Sequence, residues 1–196
     1  MTIDISRALT IPGWMSPTEL IWLAERAAVS PRIIEIGAFK GRTTRVLGDH
    51  VPPGGRVYSV DPWASYVNDE DTEAKWIFDG NSLEQNWEDI YQTWRRNVAD
   101  LLELNIVCPV RTQSLDPRLR YNLPYPQAVE FIFLDGDHRA DTVVWEIAEF
   151  MEWVRPGGIL AGHDYTHTDW PGVKQAVDAA FPEGVNVVDS IWWVQL

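Results

Sequence analysis

Three observations predict an α/β fold, a doubly wound, mainly parallel seven-stranded sheet with a C-terminal antiparallel hairpin. Four short apolar runs each end in an acidic residue: Ile33-Ile34-Glu35, Val57-Tyr58-Ser59-Val60-Asp61, Phe131-Ile132-Phe133-Leu134-Asp135 and Ile159-Leu160-Ala161-Gly162-His163-Asp164. Runs of this kind, bounded by turn residues, suit strands buried on both faces of a parallel sheet. They alternate with segments of helical period, as strand–helix–strand crossovers require. Finally, Val185–Asp189 and Ile191–Leu196 are separated by Ser190 alone, which suits a hairpin.

The elements can be justified in order. Ser16-Pro17-Thr18-Glu19 starts a helix: Ser16 caps, Pro17 takes the first helical position and Glu19 closes a capping box. Leu20, Leu23, Ala24 and Ala27 give it an apolar stripe, and Pro31 stops it. A strand at Arg32–Ile36 leads through a loop holding Gly37 and Gly41 into a helix ending near Asp49. Pro52-Pro53-Gly54-Gly55 turns the chain into a strand at Arg56–Val60. Residues 62–82 lack a sustained period and carry Asp69, Glu70, Asp71 and several aromatics. They read as a partly helical lid, an insertion at about 62–95 within a single domain. A helical stripe runs from Leu83 to Leu104, and Ile106–Thr112 is a strand interrupted by Pro109. Val129–Leu134 is a strand. A helix from Ala140 to Val154 ends at Arg155-Pro156-Gly157-Gly158, and Gly158–Gly162 is the next strand. Pro171 opens a last helix before the hairpin.

Composition narrows the function. Hydrophobic residues make up 45% of the 196 residues, so the chain is globular. No apolar stretch approaches the ~20 residues that span a bilayer, and the first residues do not form a signal peptide; a cytoplasmic location is expected. The single cysteine, Cys108, excludes an internal disulfide and a multi-cysteine metal site and reads as a small buried hydrophobe. The net charge of −13 opposes nucleic acid and anionic membranes as partners. A small-molecule partner is expected, and a homo-oligomer is left open, with Trp192-Trp193 suiting either sheet core or an interface.

Ligands of doubly wound sheets bind beyond the carboxyl ends of the strands, so acids ending four strands converge on one crevice. Gly37 and Gly41 let the backbone approach a ligand closely. Phe39 stands where a dinucleotide-binding loop has its middle glycine, which argues against a nicotinamide or flavin dinucleotide, and no phosphate-binding Walker loop is present. Asp61, ending its strand, suits the two hydroxyls of a ribose. Asp135-Gly136-Asp137-His138 and His163-Asp164 end two further strands. Carboxylates this close need a cation or a shared proton, and a divalent metal held by Asp135, Asp164 and His163 is one solution, Mg²⁺ or a softer ion. Asp137 or His138 would then take a proton from a substrate hydroxyl.

The ordered set Glu-x-Gly-x-x-x-Gly-x-Thr-Thr, Val-Asp-Pro-Trp, Phe-x-Asp-Gly-Asp-His, Arg-Pro-Gly-Gly and Gly-His-Asp-Tyr resembles the class I S-adenosylmethionine-dependent methyltransferases. Within them it is most similar to the small-molecule branch related to macrocin-type sugar O-methyltransferases. The resemblance covers about residues 31–196. It implies a Rossmann-like fold and methyl transfer from S-adenosylmethionine to a hydroxyl. It also implies roles: Glu35, Gly37 and Gly41 beside the methionine and ribose, Asp61 on the ribose, Trp63 and Ser114 near the adenine. Asp135 would face the sulfonium side or hold the metal, and Asp137 would be the base. Metal-dependent members carry an acid pair where this chain has His163-Asp164. A metal-dependent hydroxylase and a non-catalytic nucleotide-binding protein on the same fold are the alternative readings.

Overall fold

The computed structural model describes residues 3–64, 77–78, 81–82 and 87–196. A short helix that the periodicity did not single out, α1 (Ser6–Leu9), precedes α2 (Pro17–Ala27), β1 (Arg32–Ile36), α3 (Arg42–His50) and β2 (Arg56–Val60). Two short antiparallel strands, β3 (Ile77–Phe78) and β4 (Asn81–Ser82), come next. Then follow α4 (Trp87–Asn97), α5 (Ala99–Glu103), β5 (Val107–Val110), a 3-10 turn at Pro117–Tyr121, β6 (Val129–Leu134) and α6 (Ala140–Met151). β7 (Val154–Gly162), α7 (Pro171–Ala180), β8 (Asn186–Val188) and β9 (Ile191–Gln195) complete the chain. Much of the expected lid, including Asp69, Glu70, Asp71 and Trp76, lies outside the described residues.

The capping box forms as its residue types dictate. The Ser16 hydroxyl accepts from the Glu19 N–H at 3.2 Å, and the Glu19 carboxylate accepts from the Ser16 N–H at 2.7 Å. The sheet order is β5-β2-β1-β6-β7-β9-β8. β5, β2, β1, β6 and β7 run parallel, whereas β9 pairs antiparallel with both β7 and β8. The hairpin therefore folds back so that its second strand joins the sheet and β8 becomes the edge. Strand order reverses between β1 and β6, the switch point at which such sheets open a crevice.

Helices cover both faces. α2, α3, α4 and α5 pack Leu20, Leu23, Val46, Leu47, Trp94 and Leu101 against Ile33, Val57, Phe131 and Phe133. On the other face α6 and α7 pack Val143, Ile147, Phe150, Val173 and Val177 against Ile34, Ile36, Ile132 and Leu160. Trp192 is buried there, which settles it as sheet core, and Trp193 packs 6.0 Å from Trp22. Among the described residues, no helix is long and apolar enough to cross a membrane.

Three boundaries differ from the sequence expectation. The helical stripe before Leu104 breaks at Val98 (φ −121°), and the break lets Trp94, Val98 and Leu101 all turn inward. β5 is shorter than expected and lies at the sheet edge, where Pro109 needs no second ladder partner and Cys108 is only half-buried. β7 begins at Val154, and its pairing with β6 shifts register around the Arg155–Gly158 turn, so strand extends to both sides of the glycines.

Register fixes the level at which the strands end. Ile36 pairs with Val60 and with Leu134, and Leu134 pairs with Gly162. The next residues, Gly37, Asp61, Asp135 and His163, therefore stand in one row across neighbouring strands ~4.8 Å apart. Gly37 has φ 85°, and a Cβ on it would lie 2.0 Å from the Asp135 carbonyl oxygen, a backbone atom that cannot yield. Gly37→Ala should destabilise the fold by about 3–5 kcal/mol in chemical denaturation, whereas Gly54→Ala, with φ 80° but open space around it, should cost only about 1 kcal/mol.

Candidate active site

Behind this row lies a cavity of about 920 Å³. Its walls include Gly37, Ala38 and Phe39 from the loop after β1, Asp61 and Pro62 after β2, Ser114 after β5, Asp135, Gly136 and His138 after β6, and His163 and Asp164 after β7. The segment before α2 closes one side. Arg42 donates to the carbonyls of Ile11, Gly13 and Met15 at 2.7, 2.7 and 3.0 Å, and Trp14 leans on Phe39 with ring centres 5.1 Å apart.

Asp61 organises the glycine loop. One carboxylate oxygen accepts from the N–H groups of Ala38 and Phe39 at 3.0 and 2.9 Å, and the other accepts from the Trp63 N–H at 2.7 Å. Burial raises its pKa against these three bonds. The lone-pair count leaves an acceptor position on the oxygen that serves Trp63. Phe39 takes φ 44° and Trp63 φ 40°, so the loop is bent in ways that the Asp61 bonds must hold.

The second cluster is a network of acids and imidazoles. His138 Nε2 lies 2.7 Å from Asp164 Oδ2, and His163 Nδ1 lies 3.2 Å from Asp164 Oδ1 and 3.7 Å from Asp135 Oδ1. His163 Nε2 lies 3.2 Å from Glu19, whose same oxygen accepts from the Ser190 N–H at 2.9 Å. Burial works against the charged form of His163, but Asp164, Glu19 and Asp135 outweigh it and push the pKa up to about 11. The His138 pKa also rises, its hydrogen bond to Asp164 overcoming burial. Asp164, though buried, is held far below the usual carboxylate range by the two imidazoles. Burial raises Asp135 to about 7, opposed by His163 and reinforced by Asp164. The balance thus favours the imidazolium form of His163.

The structure sorts the residues expected from sequence. Gly37, Asp61, Ser114, Asp135, His138, His163 and Asp164 meet on the cavity wall. Glu35 does not: β1 continues to Ile36, so its side chain points beneath the loop, fully buried, where Thr44 and Ser59 donate to it at 2.6 Å each. Gly41 caps α3 at φ 94° against Trp94, away from the cavity. Trp63 is 1% exposed and packs between Tyr91 and Trp94, each at a ring-centre distance of 4.8 Å. Asp137 turns to Arg139, which donates to it at 2.7 Å through its guanidinium and at 2.8 Å through its backbone. Among the described residues, Asp135, His138 and Asp164 have ligand atoms all within 4.8 Å of one another. His163, expected beside Asp135 and Asp164, faces both through Nδ1 while its Nε2 meets Glu19.

A family model described as a methyltransferase domain matches residues 34–165, from β1 to just beyond the acid–imidazole cluster. The chain belongs to this methyltransferase family. Its fold is that of solved methyltransferases. The O-methyltransferase from Bacillus cereus in complex with SAH is 21% identical, with a TM-score of 0.67 over 96% of this chain and 86% of that one. TomG, the O-methyltransferase from Streptomyces achromogenes involved in tomaymycin synthesis, is 16% identical, with a TM-score of 0.63 over 99% and 86%. A SAM-dependent O-methyltransferase from Thermotoga maritima is 15% identical, with a TM-score of 0.59 over 98% and 70%.

Two residues of this methyltransferase were not legible as site residues in sequence. Glu19 reads as a capping acid, and only the fold brings its second oxygen to His163. Glu146 lies mid-helix in α6, and only the packing of α6 under Gly136 turns it to the cavity.

Burial raises the Glu35 pKa to about 8 despite Ser59 and Thr44, and one carboxyl oxygen has no hydrogen-bond partner among the described residues. A raised acid binds its proton more tightly folded than unfolded, so stability falls as pH rises from about 4.5 to about 8. Glu35→Gln should flatten that slope and stabilise the protein at pH 7, by at most about 3 kcal/mol, measured by urea unfolding across the range.

Proposed function

We propose that this methyltransferase moves the methyl group of S-adenosylmethionine to a hydroxyl of a small molecule, with His138 as the base. The observation that carries the reading is that the Asp61-held glycine loop and the His138–Asp164 pair face one cavity. The cavity is large enough for a nucleoside donor and a modest acceptor together. The donor sulfonium is already activated, so the protein's tasks are alignment and proton removal. The acceptor oxygen attacks the methyl carbon, the carbon–sulfur bond breaks, and the hydroxyl proton passes to His138. The products are the methyl ether and S-adenosylhomocysteine. Asp164 orients the imidazole and stabilises its cation. Asp137, engaged by Arg139 and off the cavity wall, is set aside for this role. The strong negative charge supports a non-nucleic-acid acceptor, and a cytoplasmic setting is in keeping with the chain's one cysteine.

A second reading has its own observation. Asp135, His138 and Asp164 form a donor set of two hard oxygens and one imidazole nitrogen that fits a divalent cation. Bound there, the cation would lower the pKa of the acceptor hydroxyl, and His138 would be a ligand instead of a base.

His138→Ala should lower kcat by roughly 10²–10⁴-fold without abolishing donor binding. His138 must be neutral to accept a proton, and its pKa lies above the ordinary imidazole value. Activity should therefore rise with pH through a limb above about 6.5, and Asp164→Asn should move that limb down. Exhaustive chelation separates the two readings: unchanged turnover supports His138 as base, and loss restored by Mg²⁺ or Mn²⁺ supports the cation.

A further inference from the structure

Glu146 is a buried acid to which the reaction above gives no role. It sits in the second turn of α6, only 1% exposed, yet borders the cavity. Burial raises its pKa to about 7, drawn back in part by hydrogen bonding from Ser114. Its Oε1 has no hydrogen-bond partner among the described residues. That oxygen lies 3.6 Å from where a Cβ on Gly136 would stand, beside Ile36 Cγ2 at 3.2 Å from the same point. The absence of a side chain at Gly136 leaves that space open. A buried acceptor without a donor is costly, and a ligand that supplies one recovers the cost.

The placement indicates the donor's chemistry, given the reading of S-adenosylmethionine as methyl donor, on which this inference rests. Asp61 ends β2 on one side of the row, and the acid–imidazole cluster ends β6 and β7 on the other. A ribose beside Asp61 with its sulfonium directed to the cluster leaves the purine against the wall formed by Pro62, Ser114 and Gly136. The edge of adenine that bears an N–H donor is its exocyclic amine. We propose that Glu146 is the specificity residue for the purine, its Oε1 accepting from the adenine 6-amino group with Ser114 holding the other side of the carboxyl. A 6-oxo purine would instead turn its oxygen on that carboxylate and be rejected.

The test is calorimetric binding of S-adenosylhomocysteine and S-inosylhomocysteine at about pH 8.5, above the Glu146 pKa of about 7. The wild-type protein should prefer the adenosyl ligand by roughly tenfold or more. Glu146→Leu should lose that preference, mainly through weaker adenosyl binding. Glu146→Gln keeps a carbonyl acceptor and adds a donor, so it should retain adenosyl affinity within about threefold while gaining the inosyl ligand. Equal wild-type affinity for the two ligands, or a preference that survives both substitutions, overturns the role of Glu146 and leaves the donor reading intact. Binding of neither ligand by the wild-type protein overturns both. A substitution acting only on folding would weaken both ligands together and leave their ratio unchanged, which also counts against the proposal; circular dichroism of each variant accompanies the titrations.

Discussion

The site depends on the parallel register of β2, β1, β6 and β7. Side chains cannot converge unless their strands end at one level, and pairing of Ile36 with Val60 and Leu134, and of Leu134 with Gly162, sets that level. A one-residue slip would turn the adjoining residues to the opposite face of the sheet. The hydrophobic layers on both faces prevent such a slip, because each strand contributes buried residues to two cores at once. Close approach of β1 to β6 then demands glycine at position 37, since the Asp135 carbonyl occupies the space of any side chain.

On this frame the chemistry is a matter of charge placement. Glu19, Asp135 and Asp164 crowd together with His138 and His163, and their mutual effects separate the pKa values. The surrounding acids favour the charged forms of His163 and His138 against burial, and the two imidazoles favour the charged form of Asp164. Asp164 is shared between them, one oxygen against His163 and the other against His138. Glu19 ties the network to the start of α2, so the capping box of that helix also meets the acid–imidazole cluster.

Asp61 illustrates a different economy. A carboxylate at the end of β2 suits a ribose, but two backbone N–H groups of the glycine loop and that of Trp63 already use it. The same acid thus holds the bent loop and borders the cavity. Phe39 can occupy a left-handed position there because Asp61 fixes its N–H and Trp63 donates to its carbonyl at 2.9 Å.

By itself the sequence determined the layer order, most element positions and the row of strand-end residues, because these follow from local patterns: apolar runs of strand length, the Ser16 capping box, and turn residues at fixed offsets. It also identified Asp61, Asp135, His138, His163 and Asp164 as neighbours, since strand ends in a doubly wound sheet must meet. Only the tertiary structure decided what each side chain does on arrival. Glu35 sits one residue short of its strand's end and therefore points under the loop, Trp63 enters the core, and Asp137 turns to Arg139. Glu19 and Glu146 gain their places from helix packing between segments far apart in the chain. The reason is that periodicity encodes which face is buried, whereas the partner of a polar atom depends on distances between elements that no local pattern specifies.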